Sequence, residues 1–289
     1  MLSMKTIERY LYEHGHTNKT VKSYLYTISV FLNANPNANN FKYKDIIDYM
    51  NKVAKDYPNT YTSNSVLAGI KKYYDYLIEI GKLDFHPCRT LYLKCKRGRD
   101  IIHQDLFTSQ ELEQLLNRKE RYRGIKLKNQ TVMSLLVSQG IMPGEIIMLK
   151  AQHVNLDNGT IFIKGSKQLS SRHLEILPRQ YKLLYRCVNE MERVGTDALL
   201  IGRSGKQITI DDVHHLVHTC KPFFPDRNLN TITIRQSVIA NWLNEKRLPL
   251  EQVQLMAGHK WISSTERYKQ TNLNEQRELI NKWHPFGKT

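Results

Sequence analysis

The chain has 289 residues and a formal net charge of +16, from 43 Lys and Arg against 27 Asp and Glu. Hydrophobic residues make up 40% of it, which excludes wholesale disorder and gives enough apolar material for two ordinary domains. The positive charge favours a polyanionic partner, because each phosphate that Lys or Arg neutralises releases counterions. Charge alone leaves DNA and RNA open, and a ribosome-associated basic protein is the alternative.

The cysteines and the apolar segments restrict the cell compartment. No stretch approaches the roughly 20 apolar residues of a membrane helix, and the amphipathic N-terminus lacks the apolar centre of a signal peptide. The cysteines form no CxxC pair, which disfavours structural zinc and a disulfide framework and fits a reducing compartment. They are Cys88, Cys95, Cys187 and Cys220. We therefore expect a cytoplasmic protein.

The hydrophobic pattern of residues 1–96 predicts a domain of short helices. Apolar stripes begin at Ile7 and Val21, a third surrounds Ile46, and the clearest runs from Val66 to Ile78, within residues 63–82, at helical spacing. Gly81 follows that stripe, where a helix C-terminal cap is expected.

A basic segment separates this domain from the rest. The run KCKRGRD, from Lys94 to Asp100, has no periodicity and contains Gly98, which argues against a solvated helix face. We interpret residues 97–106 as a linker. A basic linker would let two domains close around a duplex as a C-shaped clamp.

The second domain comprises residues 107–289. Its sequence pattern predicts helices around one small antiparallel β unit. Thr108 or Ser109 as N-cap with Glu111 in the first turn marks a helix start. Another helix is expected around Val132 to Gln139, and helices occupy most of the chain after Arg179. Alternating apolar residues predict two strands joined by a GSK turn: Ile161 and Ile163, then Leu174, Ile176 and Pro178. The fold class is mainly α with a small antiparallel β-sheet.

Three other motifs do not support a cofactor or a metal site. GRSGKQ lacks the spacing and the final Ser or Thr of a Walker A loop. His214 and His218 lie one helical turn apart but without an HExxH arrangement. Asp211 and Asp212 resemble a helix N-cap pair rather than part of a two-metal cluster.

The most informative segment is IRQSVIANWLNEKRLPLEQVQLMAGHKWISSTERYKQ. Arg235 opens an amphipathic helix, MAGH ends in His259, and Tyr268 follows nine residues later. This pattern resembles the signature LRHS…LLGH…T..Y of the tyrosine recombinases, the phage-integrase and Xer-like family. The GSK hairpin resembles the family's lysine-bearing hairpin, and residues 63–82 resemble its DNA-clamping helical domain. The resemblance thus extends over nearly the whole chain.

The resemblance implies a site-specific recombinase or integrase that acts through a 3′-phosphotyrosine. Tyr268 would be the nucleophile, and Arg235 would hold the phosphate with a planar pair of donors. His259 would contact the phosphate or assist the tyrosine proton, and a lysine would protonate the leaving oxygen. Because the covalent intermediate conserves the bond energy, no cofactor and no metal are expected.

The sequence departs from the family pattern at two catalytic positions. Met142 stands where the first arginine of TGLRxxE belongs, although Gly140 and Glu145 are in place. Ile232 replaces the histidine of HxxR. Arg172 in the hairpin is a candidate to replace the missing arginine.

The catalytic lysine is ambiguous. Ser166 aligns with the usual position, and Lys164 and Lys167 flank it. We favour Lys167, in the turn of a slightly longer hairpin. Other basic side chains are assigned to DNA binding: Lys71, Lys72, Lys94, Lys96, Arg97, Lys164, Arg172 and Lys260.

The segment after Tyr268 carries an apolar stripe of Leu273, Leu279, Ile280 and Trp283. The resemblance implies that this tail docks onto a neighbouring subunit and couples four protomers on two DNA sites. Packing within the same chain is the alternative.

Two other functions stay open. A homologue that binds its DNA site without cutting, as a regulator or scaffold, would account for the missing arginine and histidine. A basic RNA-binding protein would show no site preference on duplex DNA.

Overall fold

The computed structural model describes residues 4–94, 101, 105–202 and 204–269. The chain divides into two compact units, Met1–Arg99 and Asp100–Thr289, and each has its own hydrophobic core. Most of the linker predicted at 97–106 lies outside the described residues, so these bounds stay a prediction. No described helix combines the length and the apolar character that a bilayer crossing requires.

The described part of the first unit is helical. A 3-10 turn at Ala38–Asn40 joins its second and third helices. The helices are α1 (Met4–Glu13), α2 (Asn18–Ala34), α3 (Tyr43–Asp56) and α4 (Thr60–Glu79).

Helix α4 is the centre of this unit. It packs most extensively on α2, and the two helices approach closely at Gly69, where a Cβ atom would lie 2.8 Å from Cγ2 of Thr27. Buried hydroxyls on α4 are paired: Tyr74 donates to the carbonyl of Ala38 at 2.8 Å, and Tyr73 donates to Asn39 at 2.6 Å. The predicted stripe through residues 63–82 is therefore the core face of a real helix, and Gly81 follows it with a φ of 68°.

The second unit surrounds one small sheet with helices. Its helices are α5 (Ser109–Gln114), α6 (Arg123–Gln139), α7 (Pro143–Ile146), α8 (Pro178–Val194), α9 (Ile210–His218), α10 (Thr231–Asn244), α11 (Leu250–Ala257) and α12 (Ile262–Glu266). Further 3-10 turns lie at Leu115–Asn117, Ala151–His153 and Lys221–Phe223.

The sheet is antiparallel, in the order β1 (Val154–Asn155), β2 (Thr160–Ile163) and β3 (Arg172–Glu175). Ile161 pairs with Leu174 and Ile163 with Arg172. Since side chains alternate across a strand, these four residues share the face that packs on the core. The buried arginine at the end of β3 is the unusual member of this face.

The predicted fold class, mainly helical with a small antiparallel sheet, is confirmed. Two local expectations were wrong. The second strand ends at Glu175, and Pro178 begins α8, because the fixed φ of proline suits the first helical position. The cap of α9 is the Thr209 hydroxyl, with Asp212 completing a capping box.

Candidate active site

Arg235 connects three helices of the second unit. It lies on α10, is only 6% exposed, and donates from Nη1 to the carbonyl of Gly140 and from Nη2 to that of Ala257, both at 2.6 Å. Gly140 caps the C-terminus of α6, and Ala257 is the last residue of α11. The carbonyls at a helix C-terminus lack partners within the helix and carry partial negative charge, so a cation is well placed there.

Burial lowers the pKa of Arg235 to about 10, against the opposing effect of Glu145. The guanidinium therefore stays charged at neutral pH. Among residues 4–94, 101, 105–202 and 204–269, no carboxylate forms an ion pair with it. A buried cation without a counter-ion is costly, and it is a binding position for an anion.

A second arginine lies close by. Arg172 is 7% exposed and binds Glu145 with both ends of its guanidinium, at 2.7 Å from Nη1 and 3.1 Å from Nη2. The same carboxylate accepts the backbone N–H of Met142 at 2.9 Å, at the start of α7. Glu145 therefore joins the hairpin to the segment that lacks the expected arginine.

His259 and Tyr268 stack beside these arginines. Their ring centroids are 6.0 Å apart and their planes are inclined by 18°. His259 Nδ1 pairs with the Thr265 hydroxyl at 2.9 Å, which fixes the ring and leaves Nε2 available. Burial, then Arg235 and Arg172, lower the pKa of His259 to about 4, so the ring is neutral at pH 7. Burial raises the pKa of Tyr268, against Arg235 and Arg267.

The loop between β2 and β3 is held against the turn that carries His259. Ser170 donates its backbone N–H to the carbonyl of Gly258 at 2.8 Å, and Leu169 forms a β-bridge with His259. The ammonium of Lys260 donates to the carbonyl of Lys167 at 2.9 Å. Lys167 thus has a tethered backbone near the site and an exposed side chain.

The predicted site residues separate into groups. Arg235, His259 and Tyr268 lie together, and Arg172 joins them from the hairpin. Ile232 is 40% exposed near the start of α10 and brings no polar group. The pattern from Arg235 to Tyr268 therefore corresponds to one cluster of side chains.

The basic residues assigned to DNA differ in their surroundings. On α4, Lys71 donates to the carbonyl of Arg89 at 3.0 Å and lies over the Tyr92 ring, and Lys72 pairs with Asp75 at 2.9 Å. Exposed members are Lys94, Lys164 and Lys260, whereas Lys96 and Arg97 lie outside the described residues.

Two further residues position the site and were not identified from the sequence. Thr265 orients His259, and Asn244 donates to the carbonyl of Tyr268 at 3.0 Å. Thr265 is the threonine of the T..Y signature, so the signal was present in the sequence. Nothing local marks Asn244, which lies at the end of α10 and meets Tyr268 only through the tertiary fold.

Comparison with known proteins identifies the family. The model of the phage integrase family matches residues 105–275, more than half of the chain. The chain belongs to the phage integrase family. This match and the relatives below confirm the prediction that the protein is a tyrosine-type DNA recombinase.

Relatives extend the likeness to the whole chain. Tyrosine recombinase XerC of Staphylococcus saprophyticus is 24% identical over 99% of this chain and 96% of its own. The crystal structure of XerH bound to its difH substrate shares 18% identity with a TM-score of 0.71, covering 98% of this chain and 85% of XerH. A lambda integrase dimer bound to a COC′ core site shares 16% identity with a TM-score of 0.68, covering 92% and 76% of the two chains. These two structures have the same fold as this phage integrase family member.

Replacing His259 by Gln should weaken the dependence of folding stability on pH between about 4 and about 6.5. An unfolded histidine titrates near pH 6.5, whereas His259 in the folded protein has a pKa of about 4. The unfolded chain therefore binds more protons in this window, and the free energy of unfolding falls as the pH falls. Above pH 6.5 both states are neutral and the contribution is constant.

Urea unfolding of wild type and His259→Gln at successive pH values measures this difference. Only the difference between the two curves counts, because other histidines titrate in both proteins. Parallel curves through the whole window would show that His259 titrates normally in the folded state.

Proposed function

We propose that this protein is a site-specific DNA recombinase in which Tyr268 cuts one strand and holds its end as a 3′-phosphotyrosine. The observation that supports this most directly is the buried, unpaired cation of Arg235 beside Tyr268 and His259. A phosphodiester supplies the missing negative charge, and its phosphorus would then face a tyrosine hydroxyl. Duplex DNA is the proposed partner.

The reaction conserves the number of phosphodiester bonds. The Tyr268 oxygen attacks phosphorus, the bond to the 5′ oxygen breaks, and that oxygen leaves with a proton. The 5′ hydroxyl of a second strand later reverses the step and releases the tyrosine. Arg235 would stabilise the negative charge that develops on the phosphate oxygens, because its donors are already held in place by the fold.

Proton transfer falls to His259 and Lys167. The raised pKa of Tyr268 keeps its hydroxyl protonated at pH 7, so the attack requires a proton acceptor or a strongly bound phosphate. His259 is neutral and adjacent, and its Nε2 would take that proton or bind the phosphate. Lys167, exposed on a loop fixed to the His259 turn, would protonate the leaving oxygen.

Covalent trapping tests the nucleophile. Nicked duplexes made from the DNA that flanks the gene, incubated without metal, should give an adduct resistant to SDS. Tyr268→Phe should abolish it, because phenylalanine has no oxygen to attack phosphorus. Tyr185→Phe is the matched control, since this tyrosine lies in the same unit and is 50% exposed.

The rival function predicts a different result. A homologue that only binds DNA would show salt-sensitive binding to these duplexes and no adduct. An adduct that survives in Tyr268→Phe would assign the nucleophile to another residue.

The role of Lys167 is tested by changing the leaving group. Lys167→Ala should slow cleavage of a normal strand by about 10²–10⁴-fold, the usual contribution of a positioned acid. A strand with sulfur in place of the 5′ oxygen should be cut at the wild-type rate, because a thiol with a pKa of about 8.5 leaves without a proton. Lys164→Ala is the comparison on the same loop: because Lys164 is assigned to DNA binding, its loss should slow both substrates to the same extent. Equal slowing of both substrates by Lys167→Ala would assign this lysine to DNA binding.

We also propose that protomers assemble on DNA through residues 270–289. Two large apolar side chains near the active site are exposed, Leu255 by 73% and Trp261 by 75%. The segment after residue 269 carries Leu273, Leu279, Ile280 and Trp283, which is an apolar stripe of matching character. Docking of this segment onto a neighbouring protomer, repeated in a ring, would give a tetramer on two DNA sites.

Truncation after Lys269 should retain the binding of one protomer to DNA and lose the larger complexes. Analytical ultracentrifugation with fluorescent duplex measures both species. The variant Leu255→Ser/Trp261→Ser should show the same loss, because it removes the proposed docking surface and leaves the tail intact. Larger complexes that persist in both variants would contradict this assembly.

A further inference from the structure

We infer that Arg172 is the second arginine that contacts the scissile phosphate, and that it enters the site from β3 in place of the arginine missing at Met142. This assignment rests on the proposed function. It makes the chain a phosphate-binding enzyme whose two arginines come from β3 and α10.

The strand register directs Arg172 into the unit. It is paired with Ile163 on β2 and lies on the same face as buried Leu174. A cation on a core-facing position of a sheet requires a partner and a reason for its burial. Glu145 is the partner, and it holds both ends of the guanidinium.

Glu145 also places this guanidinium beside position 142. Its Oε2 accepts the N–H of Met142 at 2.9 Å and a donor of Arg172 at 3.1 Å, so one oxygen separates the two groups. Met142 is half-buried and carries no charge. The Arg172 guanidinium therefore brings a positive charge close to position 142, because Glu145 is hydrogen-bonded both to it and to the backbone of Met142.

Arg172 keeps donors for a ligand. An arginine has five N–H donors, and Arg172 uses two on Nη1, for Glu145 and Ser170, and one on Nη2, for Glu145. Its Nε is buried without an acceptor among the described residues, as is the Nε of Arg227 in a similar pair with Glu111. The two arginines differ at Nη2: Arg172 bonds only Glu145 from it, whereas Arg227 uses both hydrogens, for Glu111 and the carbonyl of Leu106.

The charges in the site are not balanced. Arg172 and Arg235 bring two positive charges, Glu145 brings one negative charge, and His259 is neutral. Both arginines lower the pKa of His259, so both lie near its ring. One phosphodiester, with a single negative charge, neutralises the cluster.

Gly258 leaves room for this arrangement. Its φ is 71°, and a Cβ atom there would lie 2.6 Å from Nη1 of Arg172 and 3.0 Å from the carbonyl oxygen of Ser170. The glycine before His259 therefore lets the Arg172 guanidinium pass directly against the backbone of the turn. Arg172 therefore lies against the backbone that leads directly into His259.

Titration with inorganic phosphate tests the inference without DNA and without cleavage. The NMR signal of His259 in the full chain should shift as phosphate is added to wild type at pH 7. Arg172→Met should weaken phosphate binding at least about tenfold, from the loss of a charged donor. Met142→Arg/Arg172→Met, which moves the arginine to position 142, should recover most of the affinity. Arg227→Met is the matched control and should bind as wild type does.

The folded state needs its own control, because Arg172→Met leaves the Glu145 carboxylate buried without a cation. Glu145→Gln/Arg172→Met removes the charge together with its partner. It should unfold at a temperature close to that of wild type and should still bind phosphate weakly. Circular dichroism during heating measures the unfolding temperatures of Arg172→Met and of Glu145→Gln/Arg172→Met.

Cleavage rates give the second reading. In the covalent trapping assay, Arg172→Met should form the adduct about 10²–10³-fold more slowly than wild type. Met142→Arg/Arg172→Met should recover much of this loss, and Arg227→Met should show none. Recovery by an arginine at position 142 is a result that a merely structural role of Arg172 would not give.

The outcomes separate this inference from the proposed function. Phosphate affinity that is unchanged in Arg172→Met, or a His259 signal that does not respond to phosphate in wild type, would overturn the inference. Arg172-dependent phosphate binding without any adduct in wild type would support the anion site and reject the cutting function.

Discussion

Burial of the Arg235 guanidinium is the interaction on which the second unit depends. Its two hydrogen bonds join the C-terminus of α6 to that of α11, and α10 supplies the arginine between them. The same contacts satisfy carbonyls that have no partner within their helices. Because no carboxylate balances this charge in the described part of the chain, the interaction that organises the fold also leaves a place for an anion.

The β2–β3 hairpin contributes the second arginine near His259. Hydrogen bonds from Ser170 and Lys260 fix its loop to the turn that carries His259. Through Glu145, the hairpin is also tied to the start of α7. Rigid support of this kind lets donors stay in place while charge develops on a phosphate, so little reorganisation is required during the reaction.

The sequence could identify most of the site because its chemistry depends on short spacings. His259 and Tyr268 are separated by one helix and its turns, so their proximity follows from local structure, and Thr265 between them is part of the same signature. The hairpin was also visible, since Ile161 and Ile163 alternate on β2. The sequence pattern predicts too long a second strand, because Ile176 and Pro178 continue the alternation by residue type although the backbone ends β3 at Glu175 and begins α8 at Pro178.

By itself, the sequence determined that this is a basic, mainly helical chain with Arg235, His259 and Tyr268 in a recombinase pattern. Only the tertiary structure showed that Glu145 holds Arg172 beside the backbone of Met142. The contact of Arg172 with Glu145 joins residues 27 positions apart, and that of Arg235 with Gly140 joins residues 95 positions apart. No local pattern records such contacts, because they depend on the register of β3 and on how α6, α10 and α11 pack together.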